Sequence, residues 1–425
     1  MQAIGIDIGT TSICGVAVDT VTGALIKSIS KNSDAFIPGC AAWEKIQDVD
    51  KIITVAKSIL DLLITEDTVC IGVTGQMHGI VYTDLAGLAV SPLYTWQDGR
   101  GDLPYEKTTY AKYMGSCTGY GAVTDFYNRV NRIRPEMAVS YCTIHDYFVM
   151  QLTGLKKPLV HITDAASFGC YDILSGKFTQ DVPFDTIFDY AVAGTYKNIP
   201  VSVAIGDNQA SVFSALADNA YGLFNVGTGA QISVVSNKPV AAENIETRPY
   251  FDGAYLLVGS SLCGGRAYSI LKDFYKKAFS YFAELDDNAI YAIMDKMVQN
   301  AASSLDVDTR FAGTRADPLV RGSINGISAD DFFPEELTKG VLNGMVTELF
   351  DMFNKMQSEI TALICSGNGV RKNSHLRMLA KERFGVDVLL PAHLEEAAFG
   401  AALFGAVSSG ILKNAQEAQK LIHYC

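Results

Sequence analysis

Two short runs join a strand end to a glycine and adjacent hydroxyls. Asp7-Ile8-Gly9-Thr10-Thr11-Ser12 follows the alternating Ile4, Ile6 and Ile8, and Gly227-Thr228-Gly229-Ala230 lies between the apolar stretches Leu223 to Val226 and Gln231 to Val235. A glycine at a hairpin tip lets a phosphate approach the backbone, whose amides and threonine hydroxyls then donate to its oxygens. Asp7 aims a carboxylate at the same place, where it can hold a magnesium ion through water. Each run also reads as an ordinary turn. Two such tips on two domains can grip a polyphosphate from both sides.

Three further runs carry chemistry. In Gly206-Asp207-Asn208, Asp207 stands before a helical pattern, either as an N-cap or as a general base whose ionised form the helix dipole favours. Gly75-Gln76-Met77-His78-Gly79 and Trp96-Gln97-Asp98-Gly99-Arg100 combine a flat apolar ring with donors and acceptors from Gln76, His78, Asp98 and Arg100. That mixture suits a polyol, whose C–H faces stack and whose hydroxyls need pairing. A structural histidine and tryptophan are the plainer alternative. Ser366-Gly367-Asn368-Gly369 follows a long helical run, and Ala397, Ala398, Gly400, Ala401, Ala402 and Gly405 form a small-residue stripe. These permit close approach of a ligand or equally of another helix.

The P-loop, dinucleotide, nucleophile-elbow and zincin signatures are absent from the sequence. The 34 basic and 46 acidic side chains give a net charge of −12 with no basic block, which argues against nucleic acid as a partner. Any phosphate must therefore be held mainly by backbone amides, helix N-termini or a metal. The nine cysteines, Cys14, Cys40, Cys70, Cys117, Cys142, Cys170, Cys263, Cys365 and Cys425, lack a C-x-x-C pair, so reduced thiols in a cytoplasmic protein are expected. No leader is expected, and no apolar run reaches the length of a membrane span.

The elements that must position these residues are α/β. The spacing predicts an antiparallel meander over Ile4 to Ile29, and an amphipathic helix from about Asp48 to Ile64. A buried strand at Val69 to Val73 and a helix near Ile144 to Leu152 follow. After a strand at Val201 to Ile205, Gln209 to Leu216 reads as helix. Longer helices are expected at about Arg266 to Phe282, Pro334 to Ile364, Ser374 to Phe384 and Glu395 to Val407. The runs IGIDIGTTSICGVAV and YGLFNVGTGAQISVV echo one another, as two duplicated domains would. With 425 residues and 48% hydrophobic content, two domains are expected, at 1–200 and 201–425.

Taken in order, the motifs resemble those of the FGGY carbohydrate kinases, of the actin, Hsp70 and hexokinase superfamily. GIDIGTTS and NVGTGAQ resemble the two phosphate motifs, GQMHG and TWQDGR the sugar segments, and ITDAASF a Thr-Asp segment common in the family. GDNQAS resembles the catalytic-base turn, and SGNGVRKN with EEAAFGAALFG the adenosine region. The resemblance implies two duplicated ribonuclease H-like domains around a central cleft. It implies an ATP- and Mg2+-dependent transfer of the γ-phosphoryl group to a primary hydroxyl of a ketose. Asp207 would be the catalytic base. Asp7 would organise magnesium, Thr10, Thr11, Gly227 and Thr228 would donate to phosphates, and Gly367 and Asn368 would border adenosine. Gln76, Met77, His78, Trp96 and Asp98 would hold the sugar in the first domain, with Asp207 facing it from the second. WQDGR, GDNQAS and RPYFDGAYLLVGSSLCGG are most similar to sedoheptulokinase-type members, which implies sedoheptulose and its 7-phosphate. Xylulose or another pentulose is the alternative, and a non-catalytic actin/Hsp70-like nucleotide switch is the reading from another class. The partners implied are the ketose and ATP, with a homodimer left open and neither nucleic acid nor membrane.

Overall fold

Isoleucines alternating with small residues build β1 (Gln2–Ile8), which pairs antiparallel with β2 (Ser12–Asp19), itself paired with β3 (Leu25–Asn32). The expected meander is present, and the register sets Asp7 opposite Cys14 beside the Gly9–Thr11 tip. Helix α1 (Val49–Leu63) is capped by the Asp48 side chain on the Lys51 amide and buries Ile52, Ala56, Ile59 and Leu63. Such a cap contributes about 1 kcal/mol. Strand β4 (Thr68–Gly75) runs parallel to β1 and is buried almost throughout, as its continuous apolar run requires. Helix α2 (Ile144–Thr153) opens with a capping box between Thr143 and Asp146. With β5 (Val192–Tyr196) and β6 (Ile199–Ser202) the sheet has the order β5-β6-β4-β1-β2-β3, and Ile205–Gly206 pairs with the end of β4. Helix α3 (Asp207–Ala215) follows at once.

The second sheet repeats this plan. Strands β7 (Tyr221–Val226), β8 (Ala230–Ser236) and β9 (Tyr255–Ser261) form an antiparallel meander. Helices α4 (Gly264–Phe279), α5 (Asp287–Asn300) and α6 (Pro334–Lys355) come next. Strand β10 (Ala362–Ser366) then lies parallel to β7, α7 (Ser374–Phe384) follows, and β11 (Asp387–Leu389) pairs with β10. In both sheets the first strand of the meander pairs in parallel with a strand that follows intervening helices. The two Gly-Thr tips therefore occupy equivalent positions, between strands one and two of each meander.

The last helix, α8 (Glu396–Ser408), is apolar nearly all round and fully buried from Ala398 to Val407. It rests backbone to backbone on β1 and β4. A Cβ built on Gly5 would stand 1.8 Å from the Ala398 carbonyl oxygen, and one on Gly72 1.7 Å from that of Ala401. On the other side Gly400 meets Ala210 of α3, where a Cβ would lie 1.9 Å from the carbonyl oxygen. The small-residue stripe thus serves helix packing, the plainer of its two readings, and contributes to seating α3.

The computed structural model describes residues 1–39, 41–314, 317 and 319–425. The chain divides into one unit of Met1–Ala217, Arg248–Ala254 and His393–His423, and another of Asp218–Thr247, Tyr255–Ala392 and Tyr424–Cys425. These units do not follow a split at residue 200. The Asp207 turn and α8 belong to the first, because α8 is buried against β1, β4 and α3. A second difference concerns the long helix expected at Pro334 to Ile364, which ends at Lys355; Ala362–Ser366 is a fully buried strand. A short continuous apolar run carries no period that separates strand from helix. Cys14, Cys70, Cys142, Cys170, Cys263 and Cys365 are free and buried, Cys117 and Cys425 free and exposed; Cys40 lies outside the described residues. No helix among the described residues is long and apolar enough to cross a membrane.

Candidate active site

The first unit gathers Asp7, Asp207, the 75–79 loop and the Trp96 segment at the ends of β1 and β4. Asp7 is the penultimate residue of β1, level with Thr74 and next to the Ile8–Gly75 pair. Its Oδ1 is buried and has no hydrogen-bond partner. Burial, then the Asp207 carboxylate, push the Asp7 pKa up to about 7; His145 opposes them and Glu395 adds to them. A buried, unpartnered carboxylate oxygen is the kind of donor a hard divalent cation requires.

Asp207 occupies the first turn of α3, and Gly206 takes the N-cap position. The turn is held from three sides. Thr74 Oγ1 donates to the Ile205 carbonyl (2.7 Å), the Gly206 backbone amide donates to Thr163 Oγ1 (3.1 Å), and Gln209 Nε2 donates to the Pro249 carbonyl (3.0 Å). A Cβ on Gly206 would strike the Met77 methyl at 2.7 Å, so Met77 packs directly against the turn. Burial raises the Asp207 pKa to about 6, while the positive charges of His145 and Arg248 restrain the rise and Asp164 adds to it.

His145 is a fully buried histidine of this unit. Its Nε2 lies 3.0 Å from Asp164 Oδ2, with both side chains fully buried. Burial opposes the charge, yet Asp164, Asp146 and Asp207 outweigh it and hold the imidazole pKa near 9. Neither His145 nor the role of Asp164 stands out in the sequence. The signal that could have pointed to them is Thr143-Ile144-His145-Asp146, a helix start that fixes His145 in the first turn.

The ITDAASF segment supports both neighbours. Thr163 holds the Asp207 turn, and Ser167 holds the loop. Its hydroxyl accepts from the His78 amide at 3.2 Å, and its carbonyl pairs with His78 Nδ1 at 2.8 Å. His78 sits at φ 72°, and its ring stacks on Tyr120 at 4.3 Å. The flanking Gly79 is required by close approach, since a Cβ there would lie 2.5 Å from the Tyr94 carbonyl oxygen.

Trp96 is 46% exposed, unlike a core tryptophan, and its Nε1 donates to Thr10 Oγ1 at 3.0 Å. Thr10 Oγ1 in turn donates to Gln76 Oε1 at 3.2 Å. Gln76 Nε2 donates to Gln47 Oε1 (2.9 Å), and Gln47 Nε2 donates to the Thr10 carbonyl (2.6 Å), closing a ring of hydrogen bonds. Gln47 was not legible as a site residue, because a lone amide before a helix N-cap has no spacing to mark it. The Thr11 side chain is exposed and its carbonyl accepts from the Ser33 amide at 2.9 Å.

Asp98 differs from its expected place among sugar contacts. It is fully buried, and its oxygens accept from Arg100 Nε (2.6 Å), Arg100 Nη2 (3.1 Å), the Arg100 amide (3.1 Å) and the Lys45 amide (3.0 Å). Arg100 is itself buried, with its guanidinium carbon 4.2 Å from the Tyr94 ring centre and 5.4 Å from that of Tyr127. This pair holds the Trp96 segment in shape rather than offering groups to a ligand.

In the second unit the Gly227–Gly229 tip is braced by α4. The amides of Gly265 and Arg266 donate to the Gly227 and Thr228 carbonyls, each at 3.0 Å. Gly227 and Thr228 are exposed. Gly367 lies against the same strand end, at φ 86°, and a Cβ on it would be 2.6 Å from the Val226 carbonyl oxygen. Asn368 opens the short helix beyond it. Gly227, Thr228, Gly367 and Asn368 therefore share one edge of this unit.

Residues 2–184 match the FGGY family of carbohydrate kinases, N-terminal domain, and residues 222–409 match the C-terminal domain of that family. The chain is 28% identical to the sedoheptulokinase of Mus musculus over 471 residues, and 28% identical to that of Homo sapiens over 469. Each alignment spans 94% of this chain and 96% of the relative. A glycerol kinase of Leptospira biflexa is 24% identical, over 98% of this chain and 92% of its own. Among solved structures, a xylulose kinase from Rhodospirillum rubrum superposes with a TM-score of 0.83 at 18% identity, over 100% of this chain and 93% of that one. A gluconate kinase from Lactobacillus acidophilus gives 0.82 at 18%, over 100% and 92%. At that identity they show the fold alone, a two-domain α/β architecture. With both domains matched in order and nearly the full length of its relatives aligned, the chain is a carbohydrate kinase of the FGGY family.

Proposed function

We propose that the protein transfers the γ-phosphoryl group of ATP to a primary hydroxyl of a ketose, with sedoheptulose as substrate and sedoheptulose 7-phosphate as product. The observation that carries this reading is the junction of Asp207 with Met77 and the 75–79 loop at the end of β4, beside Asp7. A proton acceptor for the sugar hydroxyl and a phosphate-side carboxylate are needed within one site, and these residues meet within one unit. The choice of a seven-carbon sugar is supported by the relatives named sedoheptulokinase and by the WQDGR and GDNQAS segments.

In this mechanism Gln76, Met77, His78 and Trp96 hold the sugar, the exposed Trp96 face covering its C–H surface. Asp98 acts through the buried Arg100 pair that shapes the Trp96 segment. Asp207 accepts the hydroxyl proton as attack begins. Phosphoryl transfer depends mainly on alignment and charge neutralisation, so little covalent participation is required of the protein. Thr10, Thr11, Gly227 and Thr228 donate to phosphate oxygens, and Gly367 and Asn368 border the adenosine. Asp7, with its unpartnered oxygen, would hold a magnesium ion, which supplies charge neutralisation on the β- and γ-phosphates when bound.

The base role sets a pH dependence. Asp207 must be ionised to accept a proton, and its pKa is raised to about 6. The kcat/KM for ketose should therefore fall as pH drops through about 6. His145→Gln removes a positive charge that restrains the Asp207 pKa, so the acid limb should move to higher pH. A profile flat from pH 5 to 8, or an unmoved limb in a folded variant, contradicts this assignment.

His78→Ala should raise the ketose KM by about tenfold or more, since a lost polar contact in a desolvated pocket costs about 1–3 kcal/mol, and change the ATP KM far less. Equal effects on both would assign His78 to the scaffold. The reading as a whole is tested by ADP release with sedoheptulose, xylulose and ribulose side by side. The highest kcat/KM is expected for sedoheptulose. A higher value for xylulose would make the enzyme a pentulose kinase with the same chemistry.

A further inference from the structure

We propose that Gln47 is a positioning residue that makes ketose binding and phosphate binding cooperative, by fixing which way round the Gln76 amide faces Thr10. The inference rests on the reading above, in which Gln76 faces the sugar and Thr10 faces the phosphates.

The argument is one of proton counting. A threonine hydroxyl has one proton to donate and two lone pairs to accept with. Trp96 Nε1 already donates to Thr10 Oγ1, at 3.0 Å, and the Thr10 proton is directed at Gln76 Oε1, at 3.2 Å. While that bond stands, the hydroxyl has no proton for a phosphate oxygen. Gln76 Oε1 carries two lone pairs, and a ketose hydroxyl that donates to it supplies that acceptor with a donor other than Thr10. The Thr10 hydroxyl can then turn and donate to phosphate.

The device works only if the Gln76 amide cannot flip. If it turned over, its NH2 group would donate to Thr10 Oγ1, the threonine proton would be free in both states, and sugar binding would change nothing. Gln47 prevents this. Its Oε1 accepts from Gln76 Nε2 at 2.9 Å, and its own Nε2 is anchored on the Thr10 carbonyl at 2.6 Å. Gln47 is fully buried and Gln76 is 3% exposed, so the bond between the two amides is shielded from bulk water. A Gln47 that served only to fill the core would alter stability and leave the two ligands independent.

The test measures the affinity of a non-hydrolysable ATP analogue by calorimetry. It is done with and without saturating amounts of the ketose that the wild-type protein turns over fastest. In the wild type, ketose should tighten the analogue by about fivefold or more, within the usual range of coupling between sites. In Gln47→Leu the ratio should fall to about one, as it should in Gln47→Met, which is the variant to use if the leucine protein does not fold. Gln47→Glu keeps the acceptor that orients Gln76 and should keep a ratio above one. An unchanged ratio in a folded Gln47→Leu or Gln47→Met protein, or a ratio of one in the wild type, overturns the proposal while leaving a ketose kinase intact. Absence of turnover with any ketose in the wild type overturns the ketose reading and this inference together.

Discussion

Asp207→Asn is expected to lower kcat by about 10²- to 10⁴-fold, the usual loss when a general base is removed. Ketose affinity should stay near the wild-type value. The substitution is nearly isosteric, the new Oδ1 can still accept from the Asn208 amide that bonds the carboxylate, and the turn is anchored elsewhere as well. Its anchors are Thr74 on the Ile205 carbonyl, Thr163 on the Gly206 amide and Gln209 on the Pro249 carbonyl. Removing the charge also relieves repulsion with Asp7, whose pKa Asp207 helps to raise. The variant should therefore fold at least as well as the parent, and a loss of turnover cannot be put down to a damaged scaffold. Single-turnover kinetics with ketose binding measured separately checks this. A kcat within a few-fold of wild type in the purified variant removes Asp207 from the proton-transfer step.

Arg100→Met is expected to destabilise the first unit by about 3–5 kcal/mol, the loss typical of breaking a buried ion pair from one side. Asp98 would remain with no exposed surface and no counter-charge, having lost the guanidinium that bonds it at 2.6 and 3.1 Å. Asp98→Asn combined with Arg100→Met should recover part of the loss, because the neutral amide still accepts from the Lys45 amide without a buried charge. Urea unfolding followed by tryptophan fluorescence reports on this region directly. Both of the chain's tryptophans, Trp43 and Trp96, lie beside this pair in the structure or the sequence. An unfolding midpoint unchanged from wild type would show that the pair does not hold this segment.

Much of this was legible in the residues. Alternating isoleucines mark β1 because one face of it is buried, and Gly-Thr tips between strand-like arms mark the equivalent hairpins of both sheets. The apolar period of α1 is the same one that packs it on β2. The legible features are local, lying within one element or one turn. What escaped depends on partners distant in sequence. Gln47 matters because Thr10 and Gln76 lie on either side of it. His145 matters because Asp164 faces it. Asp98 had the composition of a sugar ligand and proves to be occupied by Arg100. The unit boundary escaped for the same reason. That α8 returns to β1 and β4 is written in the paired glycines Gly5 and Gly72, whose meaning appears only when a helix backbone lies on them.

The central claim is tested most directly by identifying the product. Wild-type protein incubated with sedoheptulose, ATP and magnesium should release ADP and an equal amount of a phosphate ester, which phosphorus NMR with mass spectrometry should locate on the terminal primary hydroxyl. Release of ADP and inorganic phosphate with the sugar unmodified, or no ADP release with any ketose, would contradict the account.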